Sequence, residues 1–357
     1  MECGIHPVAL EPISERPLVS ILVSCRNYER FVGECLISVL RQSYTEIEVL
    51  VCDDGSEDRS CDVITSIAPH NSRVRLIRQT NQGMAASLNA AWRASRGSVI
   101  CLLDADDTFH PEKVNEVLAA FRNHPCAGFA THLATRTDAC GHARGILPLL
   151  GSVPSGWCVK IILENGGILP NVPPTSNLSL RREVADALFP LPEEFRGFAE
   201  RVIQRLAPFM TEVCHIDRPL ATWRLHDTND ANAAYINLER MARDLQVMQR
   251  LWQMQRDYLD GKAPSLARRL APITRSDYYS RLHYVWARLG GFPDAEAIRH
   301  ELLSSPGFRQ RPLPERLFWR LSPRLADSTF ERISNMIMTQ GRTKAFVGRL
   351  VHGQVQG

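Results

Sequence analysis

Short apolar runs alternate with helically spaced apolar stripes over the first third of the chain. Val19-Ser20-Ile21-Leu22-Val23-Ser24 suits a buried parallel strand. Phe31, Val32, Cys35, Leu36, Val39 and Leu40 then recur at helical spacing and predict one apolar face. Ile47-Glu48-Val49-Leu50-Val51 predicts a second strand, ending in Cys52-Asp53-Asp54-Gly55-Ser56. A helix carrying Val63, Ile64 and Ile67 precedes a strand at Val74-Arg75-Leu76-Ile77. Asn81-Gln82-Gly83 reads as a turn into a helix bearing Met84, Leu88 and Trp92. Ser98-Val99-Ile100-Cys101-Leu102-Leu103 is the most apolar strand and runs directly into Asp104. Pro111 fits the first turn of a helix that buries Val114, Val117, Leu118 and Phe121. Repeated strand-helix units predict an α/β fold, a mostly parallel sheet with helices on both faces.

Beyond this region the pattern changes. Ala139 to Pro174 is rich in Gly and Pro and weak in periodicity. Arg181 to Arg205 resumes helical character, broken near Pro190 and Pro192. From about Ala231 long helical segments follow, with Tyr235, Leu238, Met241, Leu245, Met248 and Trp252 three or four residues apart. The expected organisation is a tail over 1–16, an α/β domain over 17–230 and a C-terminal helical extension over 231–357.

Composition narrows the class. A net charge of +3 gives no footing for nucleic-acid binding. No apolar run reaches the ~18 residues of a membrane span, and Met1 to Arg16 lacks the basic start and apolar core of a secretory signal. Ten cysteines are scattered without C-x-x-C spacing, and Cys25, Cys52 and Cys101 fall in strand-like runs as small hydrophobes. A reducing cytoplasm is expected.

The candidate chemistry lies where the strands end, as ligand sites in such sheets do. Asp104, Asp106 and Asp107 repel one another and call for a compensating charge, which a hard divalent cation supplies while also holding a diphosphate. The competing reading is a solvated acidic turn in which Asp107-Thr108 caps the helix at Pro111. Asp53-Asp54-Gly55-Ser56 offers carboxylates to a base N–H or a ribose hydroxyl, or is an ordinary Asp-Gly turn. Ser24-Cys25-Arg26-Asn27 follows the first strand, and Asn81-Gln82-Gly83 opens a helix whose N-terminus suits phosphate.

In order and spacing, these pieces resemble the catalytic core of the family 2 glycosyltransferases, which have the GT-A fold. Ser20 to Tyr28 resembles that family's first strand and nucleotide loop, and Ser38-Val39-Leu40-Arg41-Gln42-Ser43-Tyr44 its "S-V-L-x-Q-T-Y" helix end. Asp53-Asp54-Gly55-Ser56 resembles its "D-D-G-S" element, and Leu103-Asp104-Ala105-Asp106-Asp107 its D-x-D element. The resemblance implies a nucleoside-diphosphate sugar donor, UDP-, GDP- or dTDP-linked, bound through Ser24, Arg26, Asn27, Asp53, Asp54, Asn81, Gly83 and Asp104. It implies that Asp54 contacts the nucleobase with Asp53 close by, that Asp104 faces ribose and metal, and that Asp106 binds Mn2+ or Mg2+. Arg26 stands where the family often has an aromatic residue, and its guanidinium plane can stack on a base.

An inverting transfer needs a general base within hydrogen-bond reach of the acceptor hydroxyl. Arg196-Gly197-Phe198-Ala199-Glu200-Arg201 resembles the family's base segment and nominates Glu200, with Glu193 and Glu194 as competitors and a solvated glutamate as the simpler reading. Pro219 to His226 resembles the family's "P-L-x-x-Y-R-x-H" ending, which makes His226 a metal or diphosphate ligand or a structural histidine, with Arg224 nearby for charge. Thr175-Ser176-Asn177 matches a segment that lines the acceptor side, or is a turn into a strand. The resemblance implies a glycan, lipid-linked or protein acceptor and a role in surface polysaccharide or glycan assembly, at the inner, cytoplasmic face of a membrane. Leu317 to Leu321 and Lys344 to Val351 mix basic and apolar residues, suiting either a membrane-surface or partner face or a helical bundle with solvated basic edges. Two rivals remain open at this stage: a nucleotidyltransferase, against which the Gly-free loop Ser24 to Tyr28 counts, and a non-catalytic nucleotide-sugar-binding module.

Overall fold

A computed structural model of the chain describes residues 4–147, 153–226 and 236–338. The chain forms two compact units. The first comprises the described residues of Met1–Lys160 and Leu169–His226, and the second those of Ile161–Ile168 and Asp227–Gly357.

In the first unit, β1 (Val19–Cys25), β2 (Ile47–Asp54), β3 (Val74–Gln79) and β4 (Val99–Asp104) lie parallel in the order β3-β2-β1-β4. β1 and β2 are apolar on both faces because they are buried on both. Val19, Ile21 and Val23 share one cluster with α1 (Val32–Leu40), α2 (Ser60–Ile67) and α4 (Lys113–Asn123). α3 (Met84–Ala94) packs on β1 and β2. Each of these helices falls where the apolar stripes predict one. α4 begins at Lys113 rather than at Pro111, which instead sits in the turn ahead of it and accepts from Ser43 N at 3.0 Å.

The second half of the sheet was less apparent in the sequence. β5 (Ala127–Thr137) pairs antiparallel with β6 (Ala143–Ile146) and with β7 (Leu178–Arg181), and parallel with β8 (Glu212–Arg224). β7 also pairs antiparallel with β4, so the sheet is mixed, mostly parallel and flanked by helices. The weakly periodic stretch contains α5 (Val159–Glu164) as well as β6. α6 (Arg182–Leu188) and α7 (Ala199–Met210) are separated around the cis Phe189–Pro190 bond, where the prolines predict a break. The N-terminal segment is tied down: Val8 N donates to Met210 O at 2.7 Å, and Arg122 binds the carbonyls of Ser14 and Glu15.

The second unit is helical: α8 (Leu238–Lys262), α9 (Pro264–Ala267), α10 (Asp277–Leu289), α11 (Ala295–Ser304), α12 (Leu313–Leu321) and α13 (Asp327–Met338). Its core gathers Met241, Leu245 and Met248 from α8 with Tyr284, Trp319 and Phe330. Tyr235, the proposed boundary near 230 and the basic stretch Lys344 to Val351 lie outside the described residues. Residues 161–168 join this unit across a long gap in sequence. Ala271 N donates to Leu163 O and Gln255 Nε2 to Gly167 O, both at 2.8 Å.

A buried carboxylate closes the foot of the sheet. Glu48 on β2 accepts from Ser20 Oγ (2.7 Å), Arg96 N (2.5 Å) and Gly97 N (3.2 Å). Gly97 passes so close to β1 that a Cβ there would meet Ser20 N at 2.6 Å and Leu18 O at 2.7 Å, both backbone atoms that cannot turn aside. Gly97→Ala is therefore expected to destabilise the first unit by ~1–3 kcal/mol. Denaturant unfolding of the wild type and variant checks this, and an unchanged midpoint would contradict the close approach.

Candidate active site

Strand register assembles the site. Ser24 on β1 lies beside Asp104 on β4, and Cys25 lies beside Asp53 on β2, so the three loops leaving these strands meet at one sheet edge. The loops after β1 and β2 are stitched together. Asn27, held in the left-handed region at φ 58°, donates its N–H to Ser56 Oγ (3.0 Å) and accepts from Glu57 N on its Oδ1 (2.8 Å). Tyr28 N donates to Ser60 Oγ at 2.7 Å, and Arg26 pairs with Glu57 at 3.5 Å at the exposed rim. Ser24 is half-buried between them.

The two acids of the β2 turn divide their work. Asp54 accepts from Gln79 Nε2 (2.7 Å), Gln82 N (2.8 Å) and Gly83 N (2.8 Å). Met84 N donates to Arg196 O, and Arg196 also binds Asn81 Oδ1 at 2.9 Å. Gly83, at φ +97°, packs against the Arg196 backbone where a Cβ would clash. Three N–H groups at the start of α3, those of Gln82, Gly83 and Met84, are thus taken by Asp54 and Arg196. Asp53 differs: its Oδ2 takes only a long bond from Ser56 N (3.4 Å), and its Oδ1 is buried without a hydrogen-bond partner.

At the end of β4 one carboxylate oxygen each from Asp104, Asp106 and Asp107 falls within 4.8 Å of the others. Asp107 does not cap α4, which corrects that alternative. Its Oδ2 accepts from Ser176 Oγ (2.6 Å) and its Oδ1 from Arg224 N (2.9 Å). Ser176 Oγ also accepts from Asp104 N at 3.1 Å, and the Thr175 hydroxyl binds the Asp104 carboxylate. Thr175, Ser176 and Asn177 are all buried, so this turn is the floor of the acidic run and not a lining open to an acceptor. His226 Nε2 lies 3.0 Å from Asp106 Oδ2, with its ring 4.6 Å from that of Phe31. Arg224 turns its guanidinium to Glu34 (2.7 Å) and over Phe31 (5.0 Å).

Sequence reading missed Lys113. It is fully buried on α4, donates Nζ to Ser176 O at 2.8 Å and lies 3.4 Å from the Phe109 ring centroid. Burial pulls its ammonium down to about 7, against the opposing pull of Cys101 and Asp107. The sequence signal was only a lysine two residues after a proline, indistinguishable there from a solvated helix start.

Glu200 occupies the first turn of α7, and its charge reaches Asp104. Burial raises its carboxyl above the usual range, while Arg201 (3.8 Å) and the N–H groups of residues 200 and 201 pull it back. Glu193 and Glu194 are exposed. The acidic run and Glu200 therefore form one electrostatic group.

Hard oxygen donors in this density fit a divalent cation. Burial, then repulsion by Asp106, holds the Asp104 and Asp107 carboxyls well above their ordinary range, which is the strain a dication relieves. The sign of the pH effect follows. Unfolded carboxyls titrate near ~4, so between that pH and the raised values the folded state holds the extra protons. Without added cation, stability therefore falls as pH rises through that window. Thermal unfolding from about pH 5 to about pH 8 is expected to show the fall in the wild type and a flatter profile in Asp107→Asn; identical slopes would count against it.

Comparisons with known proteins agree with this geometry. The family model described as Glycosyl transferase family 2 matches residues 20–185. An uncharacterized glycosyltransferase of Nostoc sp. is 32% identical over 281 residues, 75% of this chain and 86% of that protein. Chondroitin synthase of Escherichia coli is 39% identical over 106 residues, 30% of this chain but only 16% of the synthase. Among solved structures, TarS 1-349 of S. aureus in complex with UDP-GlcNAc superposes with a TM-score of 0.54 at 15% identity, covering 89% of this chain and 91% of that one. A mannosyltransferase of Pyrobaculum calidifontis in complex with GDP-Man and Mn2+ gives 0.52 at 16% identity, covering 97% and 90%. These two likenesses show the GT-A fold. On the match across most of the Nostoc relative, this chain belongs to glycosyltransferase family 2.

Proposed function

We propose that this glycosyltransferase moves a sugar from a nucleoside-diphosphate donor to an acceptor hydroxyl with inversion at the sugar carbon, in a catalytic domain over residues 17–230. The observation that carries the reading is the acidic run at the end of β4, half-buried at Asp104 and buried at Asp106 and Asp107, mutually repelling and within electrostatic reach of Glu200. Asp104 and Asp106 are the expected cation ligands, with His226 orienting Asp106 or joining it on the ion. Mn2+ or Mg2+ bound there supplies positive charge to the departing diphosphate.

Glu200 takes the proton from the acceptor hydroxyl. The freed oxygen bonds to the sugar carbon as the bond from that carbon to the diphosphate oxygen breaks, the electron pair leaving with the diphosphate. A carboxyl raised by burial suits this task, since it is a stronger base than an exposed glutamate. Asp53, with one oxygen lacking a partner, is the better candidate for the nucleobase or ribose, while Asp54 fixes the 82–83 turn beneath it. Arg26, at the exposed rim, is the candidate to stack on the base.

The donor panel follows from the two solved structures, which hold UDP-GlcNAc and GDP-Man, with dTDP-sugars added. Chondroitin and hyaluronan synthases among the partial relatives support polysaccharide assembly as the setting, with a glycan, lipid-linked or protein acceptor. Six buried free thiols among the described residues suit a reducing cytoplasm.

The test is nucleotide release from each donor with Mn2+ present. Asp106→Ala is expected to lower turnover by about a hundredfold or more, and Glu200→Gln by ~10²–10⁴-fold with donor binding retained. If no donor binds or turns over with metal present, the reading fails.

A further inference from the structure

α12 turns two unlike faces outward and inward. Trp319 is fully buried in the helical unit, and Phe318 stacks on Phe330 at 5.7 Å. Leu313, Leu317 and Leu321 point the other way, 56%, 45% and 48% exposed. Eight large hydrophobic side chains are exposed among the described residues, and three of them form this single row at i, i+4 and i+8. Scattered exposed leucines need no explanation, but a row along one helix edge does.

A second row runs beside the first. Arg316 and Arg320 follow the same spacing, and Arg324 continues it in the turn after the helix. Between Pro306 and Arg324 the sequence holds five arginines and one glutamate. That glutamate, Glu315, is taken by Arg311, which also binds Asp277. Among the described residues no carboxylate pairs with Arg309, Arg316, Arg320 or Arg324. Arg316 is half-buried with its Nε enclosed, whereas Arg320 and Arg324 are exposed, so the surface is apolar along one line and cationic at the C-terminal end of the next.

This pairing selects the occupant by charge. A second copy would bring the same arginines. The chain's own segment 339–357 carries Arg342, Lys344 and Arg349 and no acidic residue, so it too is repelled. An anionic surface is not. We propose that α12 docks this glycosyltransferase on an anionic phospholipid surface, the leucine row entering the headgroup boundary and the arginines pairing with lipid phosphates. Arginine suits the position because its stem lies along apolar surface while its head stays at the phosphates.

Co-sedimentation of the full chain with vesicles tests this. Binding is expected to mixed phosphatidylglycerol/phosphatidylcholine vesicles, to weaken as salt is raised, and to be far weaker with phosphatidylcholine alone. Leu317→Glu/Leu321→Glu is expected to lower the anionic-vesicle affinity at least about tenfold. Arg320→Gln/Arg324→Gln is expected to lower it and flatten its salt dependence. Circular dichroism and nucleotide release matching the wild type show that both variants fold. The proposal is overturned by equal binding to neutral vesicles, by wild-type binding in the leucine variant, or by a vesicle-inert protein. Capture by polyglutamate without vesicle binding, or a dimer that Leu317→Glu dissociates, likewise overturns it.

Discussion

Repulsion among three close carboxylates, Asp104 half-buried and Asp106 and Asp107 buried, is the constraint on which the site depends. Asp104, Asp106 and Asp107 have little water to screen them, and the fold restrains each differently. The Thr175 hydroxyl takes Asp104, His226 takes Asp106, and Ser176 with the Arg224 N–H takes Asp107. These partners come from the turn before β7 and from the end of β8. The antiparallel insertion of β7 next to β4 is what brings the first of them within reach. Behind that turn the buried Lys113 amine donates to the Ser176 carbonyl and so holds the turn that binds Asp104 and Asp107. A site arranged this way keeps its charges aimed at a common point before any ligand arrives.

The same economy governs the loops after β1 and β2. Asn27, Ser56, Asp58 and Ser60 bind the loops after β1 and β2 to one another, and Asp54 and Arg196 fix the turn before α3. Among the side chains at these strand ends, Asp53 stands out because its burial makes an unmet acceptor costly.

The parallel half of the sheet was legible because its strands are continuous apolar runs and its helices carry full stripes; Val19 to Phe121 reads almost element for element. The acidic run and Glu200 were legible through motif order, and the structure gathers them. What escaped were features set by partners distant in sequence. β5 and β8 alternate too little for periodicity to find them, since β8 bends through register shifts near Pro219. Asp107 resembled a helix cap because its true partners lie about seventy and more than a hundred residues away. The local pattern at Asn81 and Gly83 likewise does not reveal that Asp54 accepts from the N–H groups of Gln82 and Gly83.

The excursion at residues 161–168 bears on how such a molecule can evolve. The chain leaves the α/β unit at Lys160, contributes Ile161–Ile168 to the helical unit, and returns at Leu169. Gly166, at φ +60°, passes within 2.8 Å of the Pro272 carbonyl when a Cβ is built on it, so the two stretches are fitted to each other. A discontinuous unit of this kind is not a detachable module. Exchanging only the C-terminal segment for another would part the helical unit from residues 161–168, which belong to it.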